Sequence, residues 1–585
     1  MKLIKIGSFL FLLSLLFGSC RKIMEPENDY HSTVDRIYND PSFAEGLLLT
    51  AYIRLPTHSL NLSDVATDNA VTNSKTDQYH RMATGEWSSL YNPVDQWSNS
   101  NSAILYLNNF LNIVDTVSWK WTNSSINMMF ARRFKGEAYA LRALFEYDLL
   151  VTVGGVGSNG ELLGIPLFNK IGEIGDFNTP RSTFEESINQ IYSDFGKALE
   201  FLDMGDYQDI TDASQLPPGF DGVNIADYNF VFGKQSAQRI SGQIVKALRA
   251  RVALLAASPA FSDGNLGLWE KAANYAAEAL KDINGVSGLD PVGNIFYDAA
   301  RVDAINITAN KDQPEIVWRR AITTSNTRES SNFPPSLYGK GNINPTQNLV
   351  DAFPMANGYP ITDPKSHYDP ANPYMNRDPR LSLYIVFDGS SMKGQIIRTG
   401  VGGGINAKDS IQNSTRTGYY LRKLLREDVN MDPVSTTTKK NYEAYMRYTE
   451  VFLIYAEAAN EAWGPDGVGP NDFSARDVIA AIRKRGGIEQ PDTYLAAISS
   501  KDDMRKLIRN ERRIELCFEG FRFWDLRRWN IDLTEPAKGI NIQGDNFTVV
   551  NVEPRLYNND YMHYGPVPQT EIVKFNTLIQ NKGWQ

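Results

Sequence analysis

Apolar residues recur at intervals of three and four along several stretches of the chain, the spacing that places them on one face of a helix. Phe130, Phe134, Ala138, Leu141, Phe145 and Leu149 form one such series. Ile240, Ile244, Leu248, Val252 and Leu255 form a second, which stops near Ser258-Pro259 because proline does not continue a helix. A short loop follows, then the alanine-rich run LWEKAANYAAEALKDI from Leu268. A further series passes through Tyr448, Val451, Tyr455, Ala459 and Ala462. Gly464-Pro465 ends it, with glycine just past the helix and proline after it. Ser474 with Asp477 and Ser500 with Asp503 read as capping boxes opening two more helices. The ends of those two are marked by Gly486-Gly487 and Gly520.

Two alanine-rich helices joined by a tight loop have the form of a tetratricopeptide hairpin. Between the helical stretches lie long segments rich in Gly, Pro, Asn and Ser, roughly 56–100, 154–182, 204–235, 284–345 and 354–440. Loops of this length are either functional or disordered, and their aromatic content argues against disorder. Short strands are expected at Glu315–Arg319 and Leu381–Phe387. No linker cleanly separates domains. The expected fold is mainly α: a tetratricopeptide-like scaffold of helical hairpins with large irregular loop insertions and minor short strands, one domain over residues 31–585.

The first residues, MKLIKIGSFLFLLSLLFGSCRK, change the picture of where the chain works. Lys2 and Lys5 precede an apolar stretch from Ile6 to Phe17, too short to span a membrane and shaped as an export signal. Gly18 and Ser19 before Cys20 resemble a bacterial lipobox. Cleavage is therefore expected after residue 19, with a lipid on Cys20 and a polar tether over residues 20–30. Cys517 is the second of only two cysteines, so no internal disulfide framework is expected. No later segment approaches the ~20 apolar residues of a spanning helix.

Charge and motifs then exclude several classes. The 59 Lys and Arg against 68 Asp and Glu give −9, which argues against a nucleic-acid binder. His31, His58, His80, His367 and His563 are scattered, which excludes a helical HExxH site. No metal and no cofactor is expected. Gly155-Val-Gly-Ser-Asn-Gly160 matches a dinucleotide fingerprint in letters only. A helical period precedes it and Pro166 follows, whereas the motif needs a strand before and a helix after. No phosphate loop and no nucleophile elbow occurs. The segment RKLIRNERRIELCFEGFRFWDLRRW from Arg505 to Trp529 reads as a structural network, its arginines paired with Glu511, Glu515, Glu519 and Asp525.

Five blocks of the sequence resemble the SusD/RagB family of Bacteroidetes outer-membrane lipoproteins. They are Lys135–Val151 with Gly154-Gly155-Val156 and Gly164–Leu167; Asn344–Pro354 with Asn357-Gly358; Val451–Ala462 continuing to AIRKRGGI from Ala481; Asn510–Trp529; and Tyr564–Val573 with LIQNKGW from Leu578. Together with the lipobox they span the mature chain in the family's order. Tyr564-Gly-Pro-Val-Pro568 departs slightly from the more aliphatic lead into that proline pair. The resemblance implies about four tetratricopeptide-like pairs with loops forming the ligand face. It also implies a non-catalytic role: capturing oligosaccharide at the cell surface for a SusC-like TonB-dependent barrel. The blocks mark scaffold and leave the ligand open.

The ligand platform is expected in the aromatic loops, chiefly residues 64–97. Tyr79, Trp87 and Tyr91 sit there among polar residues, outside any helical period. Such rings suit the C–H faces of sugars, while Asp68, Asn69 and Arg81 suit their hydroxyls. Tyr297 and Tyr338 are expected to add to the platform. Trp97 instead opens the apolar series Ile104, Leu107, Phe110 and Leu111. The alternatives are a peptide-capturing lid of the same fold and an exported glycoside hydrolase.

Overall fold

The structure is a computed structural model that describes residues 40–56, 62–120, 122–168, 178–262, 264–306 and 312–584. The expected export signal, Cys20 and the expected tether lie outside these residues.

Eight helices make four antiparallel pairs. The first pair is α1 (Pro41–Ile53) with α2 (Trp97–Ile113), and the second is α3 (Ser124–Val153) with α4 (Phe184–Phe201). The third is α5 (Gly242–Ala257) with α6 (Leu266–Lys281), and the fourth is α7 (Tyr448–Trp463) with α8 (Ala475–Arg485). The fold is the expected mainly helical scaffold of tetratricopeptide-like pairs. Phe134, Ala138, Leu141, Phe145 and Leu149 of α3 are all buried in its core. Ala272, Ala273, Ala276 and Ala277 give α6 a face of small side chains, which lets it lie close against both α5 and α7. Gly464 closes α7 with φ +81°, a conformation that a side chain strains. Ser474 and Asp477 form the capping box of α8. Ser500 caps α9 (Lys501–Glu515) through its hydroxyl, but that helix ends at Glu515, five residues short of Gly520.

The strands are short and pair across long sequence separations. The strand β1 (Ala70–Thr72) runs antiparallel to β4 (Ile343–Pro345). Similarly β2 (Ile316–Arg319) pairs with β6 (Ala444–Arg447), and β3 (Thr323–Ser325) with β5 (Lys439–Asn441). The hairpin β7 (Ala537–Gln543) and β8 (Asn546–Glu553) lies near the C-terminus. The expected strand at 381–387 is half right. Arg380–Tyr384 is one turn of helix, and only Ile385 and Val386 pair, with Leu421 and Tyr420. Gly155 and Val156 form a small hairpin with Leu163 and Leu162, so the glycine-rich stretch is a turn.

The insertions carry their own cores. One is built from Phe333, Ile343, Phe353, Tyr384 and Tyr420 under Ile514 and Phe518. Another gathers Met82, Trp87, Phe523, Tyr557 and Trp584. The Arg-rich segment, α9 and α10 (Arg522–Arg528), binds these to the scaffold. Arg512 and Arg528 pair with Asp525 inside the segment, as expected. Its glutamates reach outward: Glu511 and Glu515 to Arg380 at 2.9 and 3.1 Å, and Glu519 to Arg447 at 2.7 Å.

These pairs set the acid limit of stability. Burial opposes the charge on Glu515, but Arg485, Arg380 and Arg447 outweigh it and hold the carboxyl at about 2. Glu457 is likewise held at about 2, chiefly by Arg528 against burial. Such groups stabilise the fold at neutral pH and lose that contribution as pH falls from 4.5 towards 2. Asp64 and Asp148 have the opposite sign. Burial pushes each from 3.8 to about 7, so the fold loses stability as pH rises from 3.8 to 7, where the unfolded chain has already released protons that the folded one still holds. The melting temperature is expected to peak at about pH 4 and to fall on both sides. A midpoint that climbs steadily from about pH 4.5 to about 7 contradicts this assignment.

Candidate functional site

A cleft of about 670 Å³ opens between the helical scaffold and the loops. α3 supplies Tyr147, Asp148 and Val151 to its lining, α5 supplies Arg251 and Leu254, and the turn between α9 and α10 supplies Phe518 to Phe521. Gln78, Tyr79 and residues 93–96 form one part of the wall, and Arg328 with Tyr442 to Met446 forms another. A second cavity of about 530 Å³ is also lined by Arg328, Tyr442 and Glu443, so the two meet there. The second has Thr323, Ser325, Thr327, Ser331, Asn342 and Asn441 in its walls. The chain folds this way because β3 pairs with β5 while Lys340 and Asn342 donate their backbone N–H groups back to Ser330 and Ser331. The Thr323 hydroxyl is occupied, donating to Asn441 Oδ1 at 3.2 Å. The side chains of Thr327, Ser331 and Asn342 make no hydrogen bond among the described residues and stand free for a ligand.

Most charges in the larger cleft are neutralised in place. Arg251 pairs with Glu450 at 2.6 Å, Arg447 with Glu519 at 2.7 Å, and Arg528 with Glu457 and Asp525 at 2.7 and 2.8 Å. Two acids are exceptions. Asp95 accepts only backbone N–H groups, Trp97 N–H at 2.9 Å among them. Asp148 is half-buried, has no hydrogen-bond or ion-pair partner among the described residues, and keeps its proton up to about pH 7 because burial outweighs the pull of Arg251.

The sequence-predicted residues divide into three groups. Tyr79 lies in the cleft wall, half-buried, and burial raises its hydroxyl above the usual range. Arg81 and Tyr91 flank it: the guanidinium lies 4.3 Å from the Tyr91 ring and pairs with Glu86, while the Tyr91 hydroxyl donates to Gln78 O at 3.3 Å. Tyr338 is 57% exposed at the end of the turn Pro335–Leu337, held at φ +63°. Its loop is the one that carries Asn342. Tyr297 stands apart, half-buried edge-on to Phe296 in a small cluster with Val302 and Leu424.

Asp68, Asn69 and Trp87 are not part of a ligand surface. Asp68 receives two parallel hydrogen bonds from Arg522, at 2.8 and 2.9 Å, and an ion pair from Arg513 at 2.8 Å. Burial opposes its charge, but the two arginines hold its carboxyl well below the usual range. Asn69 is 0% exposed and accepts from Arg513 Nε at 2.8 Å. Trp87 is 4% exposed, edge-on to Trp584 and Phe523 at 4.8 and 5.8 Å. The physical reason is common to all three. A long loop laid over a scaffold must bury its own backbone and rings, so its polar residues become anchors and its tryptophan becomes core. Sequence reasoning missed Asp148, Arg328, Tyr442, Thr327, Ser331 and Asn342. Only Asp148 left a signal, an acid inside the apolar run LFEYDLLV.

Comparison with known proteins agrees with this architecture. A family model described as the SusD family matches residues 310–584, and another, described as starch-binding associating with outer membrane, matches residues 24–215. SusD-like protein P38 of Formosa agariphila is 24% identical over 556 residues, 91% of this chain and 93% of that protein. SusD-like protein P2 of the same organism is 31% identical over 142 residues, 23% of this chain and 24% of its own length. A SusD-like protein of Bacteroides fragilis superposes with a TM-score of 0.70 at 24% identity, over 96% of this chain and all of that one. A SusD-like carbohydrate binding protein of the same species gives 0.66 at 19% identity, over 93% of this chain and 99% of that one. Four helical pairs, insertions that carry their own cores and two SusD models that match both halves of the sequence lead to one conclusion: the chain belongs to the SusD family.

Proposed function

We propose that the protein captures an oligosaccharide in the joined cavities without cleaving it, and delivers it to a SusC-like TonB-dependent barrel. In this reading Cys20 carries the lipid that tethers the protein to the outer membrane at the cell surface. The observation that carries the reading is the junction at Arg328 and Tyr442. There, unpartnered hydroxyl and amide groups of Thr327, Ser331 and Asn342 line the same concavity as an aromatic side chain. Sugars need that combination, because a pyranose presents apolar C–H faces beside hydroxyls. Tyr79 in the wall supplies a further ring, and Tyr338 an outlying one, with Arg81 and Tyr91 flanking.

A hydrolase reading would make Asp148 the general acid, since it holds a proton near neutral pH. Glycoside hydrolysis needs a second carboxylate; Glu450, Glu519 and Asp525 are each locked to arginine, and Asp95, the other acid without an ion pair in this lining, accepts the Trp97 backbone N–H at the start of α2. Calorimetry and product analysis on one sample separate the readings. Binding without new reducing ends is expected. Tyr338→Ala should weaken binding by about 1–3 kcal/mol, the range for one lost stacking ring, with melting unchanged. Release of shorter sugars by the wild type, abolished by Asp148→Asn, would establish the hydrolase instead.

A further inference from the structure

Arg328 is a cation without a counter-ion. It lines both cavities where they meet. Its one side-chain hydrogen bond runs from Nη2 to Tyr442 O at 2.9 Å, and no carboxylate lies within ion-pair distance among the described residues. Nε and Nη1 are left without partners. Glu443, next along the wall, forms its ion pair with Arg320 instead, at 3.6 Å. Burial lowers the Arg328 pKa from its usual value, against the weaker pull of Glu443 and Glu329. At the edge of the larger cleft, Arg54 repeats the pattern. Among the described residues its side chain forms no hydrogen bond and its buried Nε has no partner, and its guanidinium lies 5.7 Å from the Tyr106 ring.

Arg251, Arg447, Arg512 and Arg528 in the larger cleft each face a carboxylate. Arg527 lies over aromatic rings and forms no ion pair among the described residues. Of the acids, Asp95 and Asp148 form no ion pair among the described residues; Asp148 keeps its proton up to about pH 7, and burial also raises the Asp95 carboxyl. The uncommitted charge is therefore predominantly positive, in a chain whose net charge is −9.

A half-desolvated guanidinium without an anion is unfavourable, and an oxyanion offered to its free N–H groups relieves that cost. We infer that the ligand of this cleft is an acidic oligosaccharide whose uronate carboxylate or sulfate ester seats on Arg328, an inference that rests on the glycan-capture reading. Thr327, Ser331 and Asn342 beside Arg328 would receive the neutral hydroxyls of the same sugar ring.

The test is calorimetry of the full chain against two panels. The acidic one contains oligogalacturonate, oligoalginate, chondroitin sulfate and sulfated galactan oligosaccharides. The neutral one contains malto-, xylo- and laminari-oligosaccharides. Binding is expected in the acidic panel, weakening as sodium chloride is raised. Arg328→Gln should weaken it about ten- to a hundredfold, the loss of one charged hydrogen bond, with unchanged melting. Arg54→Gln, away from the Tyr442 contact, serves as the second variant should Arg328→Gln unfold, and should weaken the same binding. Within the acidic panel, uronates and sulfates distinguish the two anions. Tight binding confined to neutral oligosaccharides overturns this inference and leaves glycan capture intact. Acidic binding indifferent to salt and to both variants overturns it too. No binding in either panel overturns both.

Discussion

Replacing Glu515 with alanine is expected to cost the fold about 3–5 kcal/mol, the penalty for breaking a fully buried ion pair from one side. Glu515 is 0% exposed and stands 3.1 Å from Arg380, 3.2 Å from Arg485 and 3.7 Å from Arg447. Arg380 keeps Asp378 and Glu511, but Arg485 keeps only Glu315 at 3.4 Å. The variant therefore leaves guanidinium charge in a dry interior that joins α8, α9 and the loop carrying Arg380. Glu515→Gln keeps the shape and should cost less. Ligand affinity of the folded fraction should stay the same, because Glu515 does not line the cleft. Unchanged denaturation in Glu515→Ala would show that the network is solvated and contributes little.

Trp87→Ala carries the second large effect, about 3–5 kcal/mol for emptying a large aromatic site. Part of the cost passes through Arg527, whose Nε and Nη2 have no partner among the described residues. That guanidinium is held between rings, 3.4 Å from the centre of Phe523, 4.8 Å from Trp87 and 4.9 Å from Tyr557. A desolvated cation over an aromatic face gains about 2 kcal/mol, and Trp87→Ala forfeits one such face. Melting should fall sharply while affinity of the folded fraction is retained. The reverse outcome, full stability with lost binding, would return Trp87 to the ligand surface.

Trp87 also shows where reading the sequence stops. The faces of α3, α5, α6 and α7 were legible because helical period is a local property, set by neighbours three and four residues apart. The glycine ending α7 and the capping box of α8 were legible for the same reason. The burial of Trp87 depends on Phe523 and Trp584, more than four hundred residues away, and no spacing rule reaches that far. Asp68 looked like a hydroxyl-binding acid, yet it is anchored by Arg522, 454 positions along the chain. The Arg-rich segment was correctly read as structural, while most partners of its glutamates lie outside it. Arg328 gave no signal at all, because its significance is the missing carboxylate, which only the assembled walls reveal. Tyr79 lines the cleft while packing against two of the insertion cores, with Arg81 and Tyr91 beside it, and Tyr338 stays exposed at the end of its tight turn.

The most direct test is a crystal structure of the protein with its tightest-binding oligosaccharide. The sugar is expected intact at the junction of the two cavities, with hydrogen bonds to Thr327, Ser331 or Asn342 and an acidic substituent on Arg328. Sugar seated on another face, with both cavities empty, would contradict the account.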